Sequence, residues 1–471
     1  MKKISYYILL LLITLSQISC EDYLTVLPEN NQSSFEYWET KEEVEAVLAS
    51  GYINLRSSVE TFLLWGEGRG NGLSFWSTSG SDLQKAAVKL RAFDILPTNG
   101  LAYAAIAMAN AVIKYAPDVV DKDPSFDMNM CRSFMAEAFF QRTLAYFYIV
   151  RTFKDAPFVT EPYVDDSAPY IMPKEDGITI LKSCIADLEE YLPNAKEFFP
   201  EVDNDNPINT KGRATRWGIH ALLADMYLWL GDYENSIKHC NSVINSGRVG
   251  LIGNGFLNYY PGNSNEGIFE IQYSNPKSQT NSFLTWFKAG TDGYYKASDY
   301  MTNLFEQNES ESRGLNYSYN EAGYIWKYLG VDNATARVAS ENDQNYLIYR
   351  LADVYLMKAE ALIMQDNYEM AGELIDKTRQ RAGLEKMTLS EDRLIMLEYL
   401  LVERQKEFFA EGKNWFDMLR IGLRSQQLSD VRYKNLFIEQ ALKAVAATSQ
   451  SLGRATLSNE GSWYMPFSES E

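Results

Sequence analysis

The sequence predicts a mostly α-helical protein in which tetratricopeptide-like helix pairs form a scaffold, interrupted by loop-rich insertions with a little β-structure. Three observations predict it. Apolar residues recur at helical spacing through residues 41–56, 101–116, 130–151, 178–192 and 217–243, the alternation of threes and fours that turns one stripe of a helix toward a core. Two helix-turn-helix units share one pattern, Ala224, Gly231, Tyr233 and Ser236 matching Ala359, Asp366, Tyr368 and Ala371 at offsets of 7, 9 and 12, a paired-helix repeat spacing. Between about residues 250 and 345 the periodicity gives way to Gly, Asn, Ser and aromatic residues, with strand-like runs such as GIFEIQY at 267–273, which reads as loops with some sheet.

Taken in order, the chain opens on an address. Lys2 and Lys3 precede an apolar run over residues 6–15 that is too short to span a bilayer, and a polar stretch leads to Ser19 and Cys20. This is a signal-peptide pattern over residues 1–19, with a small residue before Cys20 as at a lipoprotein processing site. Residues 20–471 are expected to form a single body, its helical scaffold at about 41–250 and 346–420 and its loop-rich insertion at about 250–345.

Val44, Val47, Leu48 and Tyr52 mark the first helix, and the glycines and aromatics of residues 63–99 predict irregular structure. Small residues dominate 101–116, allowing close helix approach, and Pro117 is expected to stop that helix. Residues 130–151 are apolar on nearly all sides, as in a helix buried between neighbours. Asp176 opens and Pro193 closes the helix over 178–192. After the first repeated unit and the insertion, residues 346–361 read as a regular helix. Residues 403–420, ERQKEFFAEGKNWFDMLR, read as a helix with alternating charge on an exposed side, a left-handed cap at Gly412 and a restart capped by Asn414. Glu403 and Glu407 are expected to be surface charges.

Composition excludes several functions. The chain of 471 residues has a formal charge of −19, and loss of Lys2 and Lys3 with a leader would make it −21, so nucleic acid is not an expected partner. His220 and His239 are the sole histidines and lie in no metal-ligand pair pattern; they read as helix residues, with no metal or cofactor expected. Cys131, Cys184 and Cys240 have no paired spacing and read as buried free thiols. The run GEGRGNG lacks the preceding strand of a dinucleotide loop, and no nucleophile has a base partner.

The residues Glu403, Arg404, Glu407, Phe408, Glu411, Gly412, Trp415, Phe416, Asp417 and Arg420 resemble the C-terminal signature of the SusD/RagB family of outer-membrane nutrient-binding lipoproteins. Asn414 stands where an arginine commonly precedes the tryptophan. Asn110, the Ala136–Phe147 helix with Glu137 and Arg142, the Gly212–Ala214 run, the Arg350–Glu360 stretch and the Arg379–Leu384 run also resemble the family, in the family's order. The resemblance implies a non-enzymatic protein, lipidated at Cys20 and facing the cell surface at the outer membrane, where Glu21 and Asp22 resemble an export signal. It implies capture of an oligosaccharide, or another nutrient, and its delivery to a SusC-like TonB-dependent transporter.

Sugars are held by aromatic faces on CH patches and by polar groups on hydroxyls, displayed on loops. Two segments qualify. Residues 65–76 contribute Arg69, Asn71, Phe75 and Trp76, and residues 286–295 contribute Trp286, Asp292, Tyr294 and Tyr295. Two rival readings remain: a tetratricopeptide-type adaptor, disfavoured by the absence of a tandem 34-residue period, and a lipid-anchored glycoside hydrolase, which needs a carboxylate pair that sequence spacing does not reveal.

Overall fold

The structure, a computed structural model, describes residues 37–75, 100–162, 172–199, 207–253, 256–288 and 295–466. Helix α1 (Lys41–Ser57) opens on a capping box: the Thr40 hydroxyl accepts from Glu43 N–H, and the Glu43 carboxylate accepts from Thr40 N–H. Helix α2 (Val59–Glu67) follows directly, so residues 63–67, expected to be irregular, are helical, and the glycine-rich turn begins at Gly68. Strand β1 (Leu73–Phe75) comes next.

Helix α3 (Gly100–Val119) holds Pro117 inside its last turn and ends two residues later, rather than stopping at the proline. Helix α4 (Met128–Phe153) is buried at every position from 133 to 152, because α1, α3 and α5 (Gly177–Tyr191) surround it; the apolar wrap of its sequence anticipated this. Arg142 on α4 donates to Asn110 of α3 at 2.9 Å and to Asp187 of α5 at 2.7 Å, tying three helices through one guanidinium. The short strands β2 (Ala156–Pro157) and β3 (Lys174–Glu175) pair between α4 and α5. As expected, Asp176 caps α5, its carboxylate accepting from Thr179 N–H.

After the short α6 (Pro207–Gly212), the repeated units appear as α7 (Arg216–Leu230) with α8 (Tyr233–Asn245), and α12 (Leu351–Met364) with α13 (Tyr368–Arg381). Gly231 adopts φ 84° and Asp366 φ 61° at the turns, the left-handed step that lets the second helix fold back. Ala224, Ser236, Ala359 and Ala371 are buried at the crossings, and the Ser236 hydroxyl donates to the Ala224 carbonyl at 2.9 Å. The two pairs are far apart in sequence yet pack together, α8 lying on α12. Each apolar stripe is thus covered by the other unit.

Between them lie β4 (Gly267–Ile271), α9 (Phe283–Trp286), β5 (Tyr295–Ala297), α10 (Asp299–Glu306), α11 (Trp326–Leu329) and β6 (Tyr346–Arg350). Residues 346–350 are therefore a strand, and the helix expected from 346 begins at Leu351. The cause is pairing with β4, from Ile271 opposite Tyr346 to Gly267 opposite Arg350. Both strands are buried on both faces, so neither shows polar alternation, and a short apolar run of this kind is compatible with helix or strand.

Helices α14 (Arg393–Glu407), α15 (Asn414–Leu428), α16 (Val431–Leu442) and α17 (Ala447–Leu457) complete the fold. One continuous apolar core joins all of these elements except β3 and the small α6. Among the described residues no helix is long and apolar enough to cross a membrane.

Candidate functional site

The two aromatic loop segments singled out in the sequence are brought into register. Strands β1 and β5 pair antiparallel, Leu73 opposite Ala297, Ser74 opposite Lys296 and Phe75 opposite Tyr295. Ser298 extends the join: its N–H donates to Gly72 O at 3.0 Å, its hydroxyl donates to Asn71 O at 2.6 Å and accepts from Met301 N–H, capping α10. In the chain, Trp76 follows Phe75 and Tyr294 precedes Tyr295. Both segments therefore leave the described structure at the same end of one strand pair.

The individual side chains divide into two groups. Arg69 is buried, stacks over the Trp415 ring at 4.0 Å and donates to the Trp463 and Ser462 carbonyls at 2.7 and 2.6 Å. Asn71 is fully buried, donates to Gln440 O at 2.9 Å and accepts from the Asn414 amide at 2.9 Å. The expectation that these two face a ligand is corrected: the glycines around them admit the Gly412 backbone and the Asn414 side chain. A Cβ on Gly66 would come within 1.8 Å of Gly412 O. Trp286 is buried with its ring 5.7 Å from Phe283, and Tyr295 is buried beside Phe287 at 6.0 Å, so both belong to the packed aromatic core around Phe283 and Phe287. Phe75 lies in β1; its side chain, with Trp76, Asp292, Tyr294 and Cys20, lies outside the described residues.

Beneath the strand pair sits a buried ion network built from residues 403–420. Glu403, Arg404, Lys406, Glu407 and Glu411 are all buried, which overturns the surface reading of this helix. Arg350, ending β6, donates to Glu407 at 2.5 Å, Glu266 at 2.8 Å and Glu411 at 2.9 and 3.1 Å. Arg313 bridges Glu403 and Glu407, both at 2.8 Å, and binds Glu311 at 2.8 Å. Arg381 pairs with Glu266 at 2.7 Å and also with Glu407. Lys327 donates to Glu411 at 2.9 Å and Phe409 O at 2.6 Å. Arg404 and Arg420 meet Asp417, and Arg420 meets Glu360. Charges buried this deeply are tolerated only when paired this fully.

The electrostatics follow from the partners. Burial pushes the Glu411 carboxyl up, but Arg350 and Lys327 outweigh it and hold it at about 2. Burial likewise opposes ionisation of Glu407, and Arg381, Arg350 and Arg313 overcome it, holding it well below the carboxylate range. Glu67, at the end of α2, is the contrast: burial pushes it up to about 8 despite its hydrogen bonds from Gly412 and Lys413 N–H. The anticipated Asn414 cap is absent, since the Asn414 amide goes to Asn71 and α15 starts with no side-chain cap. Gly412 does adopt φ 75°, but five residues past the end of α14 rather than as its immediate cap.

Two other features were not legible in sequence. A cavity of 410 Å³ lies between α1, α6 and β4, with Leu48, Tyr52 and Phe269 on its floor and Arg56 and Lys277 at its rim. His220 and His239, nineteen residues apart on α7 and α8, meet at 2.8 Å; no spacing rule marks a pair joined across a helix turn. Among the described residues no group of three or more His, Cys, Asp or Glu side chains is placed to hold a metal.

Comparison with known proteins covers both halves of the chain. A family model described as the SusD family matches residues 259–471, and one described as "Starch-binding associating with outer membrane" matches residues 22–228. SusD-like protein P38 of Formosa agariphila is 25% identical over 475 aligned residues, covering 87% of this chain and 90% of the relative. A SusD-like protein of Bacteroides ovatus is 26% identical over 85% of this chain and 79% of its own length. Among solved structures, a SusD superfamily protein of Bacteroides thetaiotaomicron superposes with a TM-score of 0.73 at 19% identity, covering 92% of this chain and 96% of that one. A laminarin-binding SusD-like protein superposes with a TM-score of 0.65 at 22% identity, covering 83% and 94%. These two likenesses establish the shared fold.

Proposed function

Since this chain belongs to the SusD family, we propose that it is a surface-exposed, lipid-anchored binding protein that captures an oligosaccharide and hands it to a SusC-like TonB-dependent transporter without chemical conversion. The observation that carries this reading is the β1–β5 pairing, which joins two aromatic-rich segments more than 200 residues apart at one end of one strand pair. The contacts we assign to the ligand are Trp76, Asp292 and Tyr294, together with the Phe75 ring. Indole and phenol faces would cover the CH patches of sugar rings, and the carboxylate would accept from hydroxyls. Laminarin binding by a protein of the same fold and the starch-binding description of one matching family model support a glycan over a peptide.

The test is a calorimetric screen of the mature body against laminarin, starch-derived and other oligosaccharides and against peptides, with product analysis of each mixture. Saturable binding without cleavage, weakened at least tenfold by Trp76→Ala, is the expected result. Product release would turn the reading to a hydrolase, and peptide binding alone would change the ligand class. Delivery is tested by affinity purification from membranes, where failure to recover an outer-membrane transporter counts against it. The anchor is tested by Cys20→Ser, which should release the protein from the membrane fraction.

A further inference from the structure

We propose that His220 and His239 form a two-histidine binding site for a divalent transition-metal ion of borderline softness, Zn2+ being the ion it would take, with Glu189 as the residue that orients one ligand. The proposal is independent of the glycan reading. It starts from a coincidence of placement: the chain has two histidines, and their Nδ1 atoms face each other at 2.8 Å across the α7–α8 pair.

The geometry around them is that of a prepared ligand set. His239 is fully buried, and its Nε2 donates to Glu189 Oε1 on α5 at 2.9 Å. That hydrogen bond fixes the tautomer, leaving the Nδ1 lone pair of His239 aimed at His220, the carboxylate–histidine arrangement that commonly stands behind a metal ligand. Glu189 is held in turn by the Tyr227 hydroxyl at 3.1 Å. Each imidazole is stacked, His239 on Tyr227 at 5.5 Å between centroids and His220 on Trp217 at 6.2 Å. The helices carrying them are locked by the Gly231 turn and by Ser236 bonded to Ala224, so little ordering is left to be done on binding.

Without metal, His220 fills the gap by donating from its own Nδ1. Lys238, 4.0 Å from Glu189, and Arg216 are the cations facing the pair. On metal entry the His220 proton passes from Nδ1 to Nε2 of the same ring, with no net proton release, and two Nδ1 lone pairs converge. Tetrahedral Zn–N bonds of about 2.0–2.1 Å set the two nitrogens about 3.3 Å apart, an opening of about half an ångström that a small rotation of the half-buried His220 supplies. Water completes the coordination, since no third protein ligand converges there among the described residues.

The experiment uses the mature chain without a polyhistidine tag. With two histidines, the long-range imidazole nitrogen spectrum at neutral pH shows two sets of signals, and ZnSO4 is titrated against it with MgSO4 as control. Both sets should move together and saturate at one equivalent of Zn2+ while Mg2+ leaves them in place, and Zn2+ should raise Tm. His220→Gln, a half-buried change, should abolish the Tm shift, and Glu189→Gln should weaken binding about tenfold or more. Signals that stay in place, movement of one imidazole alone, or wild-type affinity in folded His220→Gln would each overturn the proposal. The wild-type spectrum decides the matter even if His239→Gln does not fold.

Discussion

The guanidinium of Arg350 grips the carboxylate of Glu411 through two hydrogen bonds, Nε at 3.1 Å and Nη2 at 2.9 Å, with both side chains buried. A strand end and the break after α14, 61 residues further along the chain, are thereby fastened by an ion pair that water does not reach. Removing one partner leaves the other charged and desolvated. Arg350→Met or Glu411→Gln is expected to cost about 3–5 kcal/mol in urea unfolding, whereas the exposed pair Arg454–Glu439, 2.8 Å apart, should be insensitive to Glu439→Gln.

The same network sets an acid limit. Glu411 at about 2, and Glu407 held well below its ordinary value, have folded pKa values under the unfolded value of 4.5. Their contribution is present above pH 4.5 and is lost as pH falls toward 2, because protonation is then the unfolded state's advantage. Unfolding free energy measured from pH 6 to pH 3 should fall steeply in the wild type and flatten in Glu407→Gln.

Glu67 works in the opposite direction. Its folded pKa of about 8 lies above 4.5, so the folded state retains a proton that the unfolded state gives up, and stability declines as pH rises from 4.5 to 8. Glu67→Gln keeps an acceptor for Gly412 and Lys413 N–H without the ionisation. It should be more stable than wild type by about 1–3 kcal/mol at pH 8, with the difference closing at pH 4.5.

Gly66 and Gly412 form the closest backbone approach beside the strand pair. A methyl group on Gly66 would meet Gly412 O at 1.8 Å, and one on Gly412, already at φ 75°, would meet the Tyr346 hydroxyl at 2.1 Å. Gly66→Ala is expected to lower stability by about 2 kcal/mol or more and to weaken ligand binding by displacing β1. Arg69→Ala, which strands the Ser462 and Trp463 carbonyls, should lower Tm while leaving the affinity of the folded protein unchanged. Trp76→Ala should do the reverse, and the pair of measurements separates scaffold from ligand contact.

Burial pushes the Cys131 thiol up to about 11 and those of Cys184 and Cys240 up to about 12. None offers a thiolate near neutrality. Ellman's reagent should therefore find these three thiols inert at pH 8 in the native protein and react with all of them once guanidinium is added.

Local signals in the sequence were sufficient for much of the scaffold. Asp176 marked the start of α5, Gly231 and Asp232 marked the turn between α7 and α8, and the apolar wrap of residues 130–151 marked a helix enclosed by others. Family membership was equally legible, because the residues that carry it recur in fixed order. Failures came where a residue's environment is supplied from elsewhere in the chain. Residues 346–350 became a strand because β4 pairs with them, and that partner lies some 80 residues away.

By itself, then, the sequence determined the helix pairs, the Asp176 cap of α5, the family and which two segments to compare. Only the tertiary structure decided that the charged run at 403–420 is interior, that Arg69 and Asn71 serve the scaffold, and that the two histidines touch. The physical reason is range. Helical periodicity and capping act over three to four residues and are written in neighbouring letters. A glutamate is a surface charge or a buried counterion according to whether Arg313, Arg350 and Arg381 arrive beside it, and folding alone brings them there.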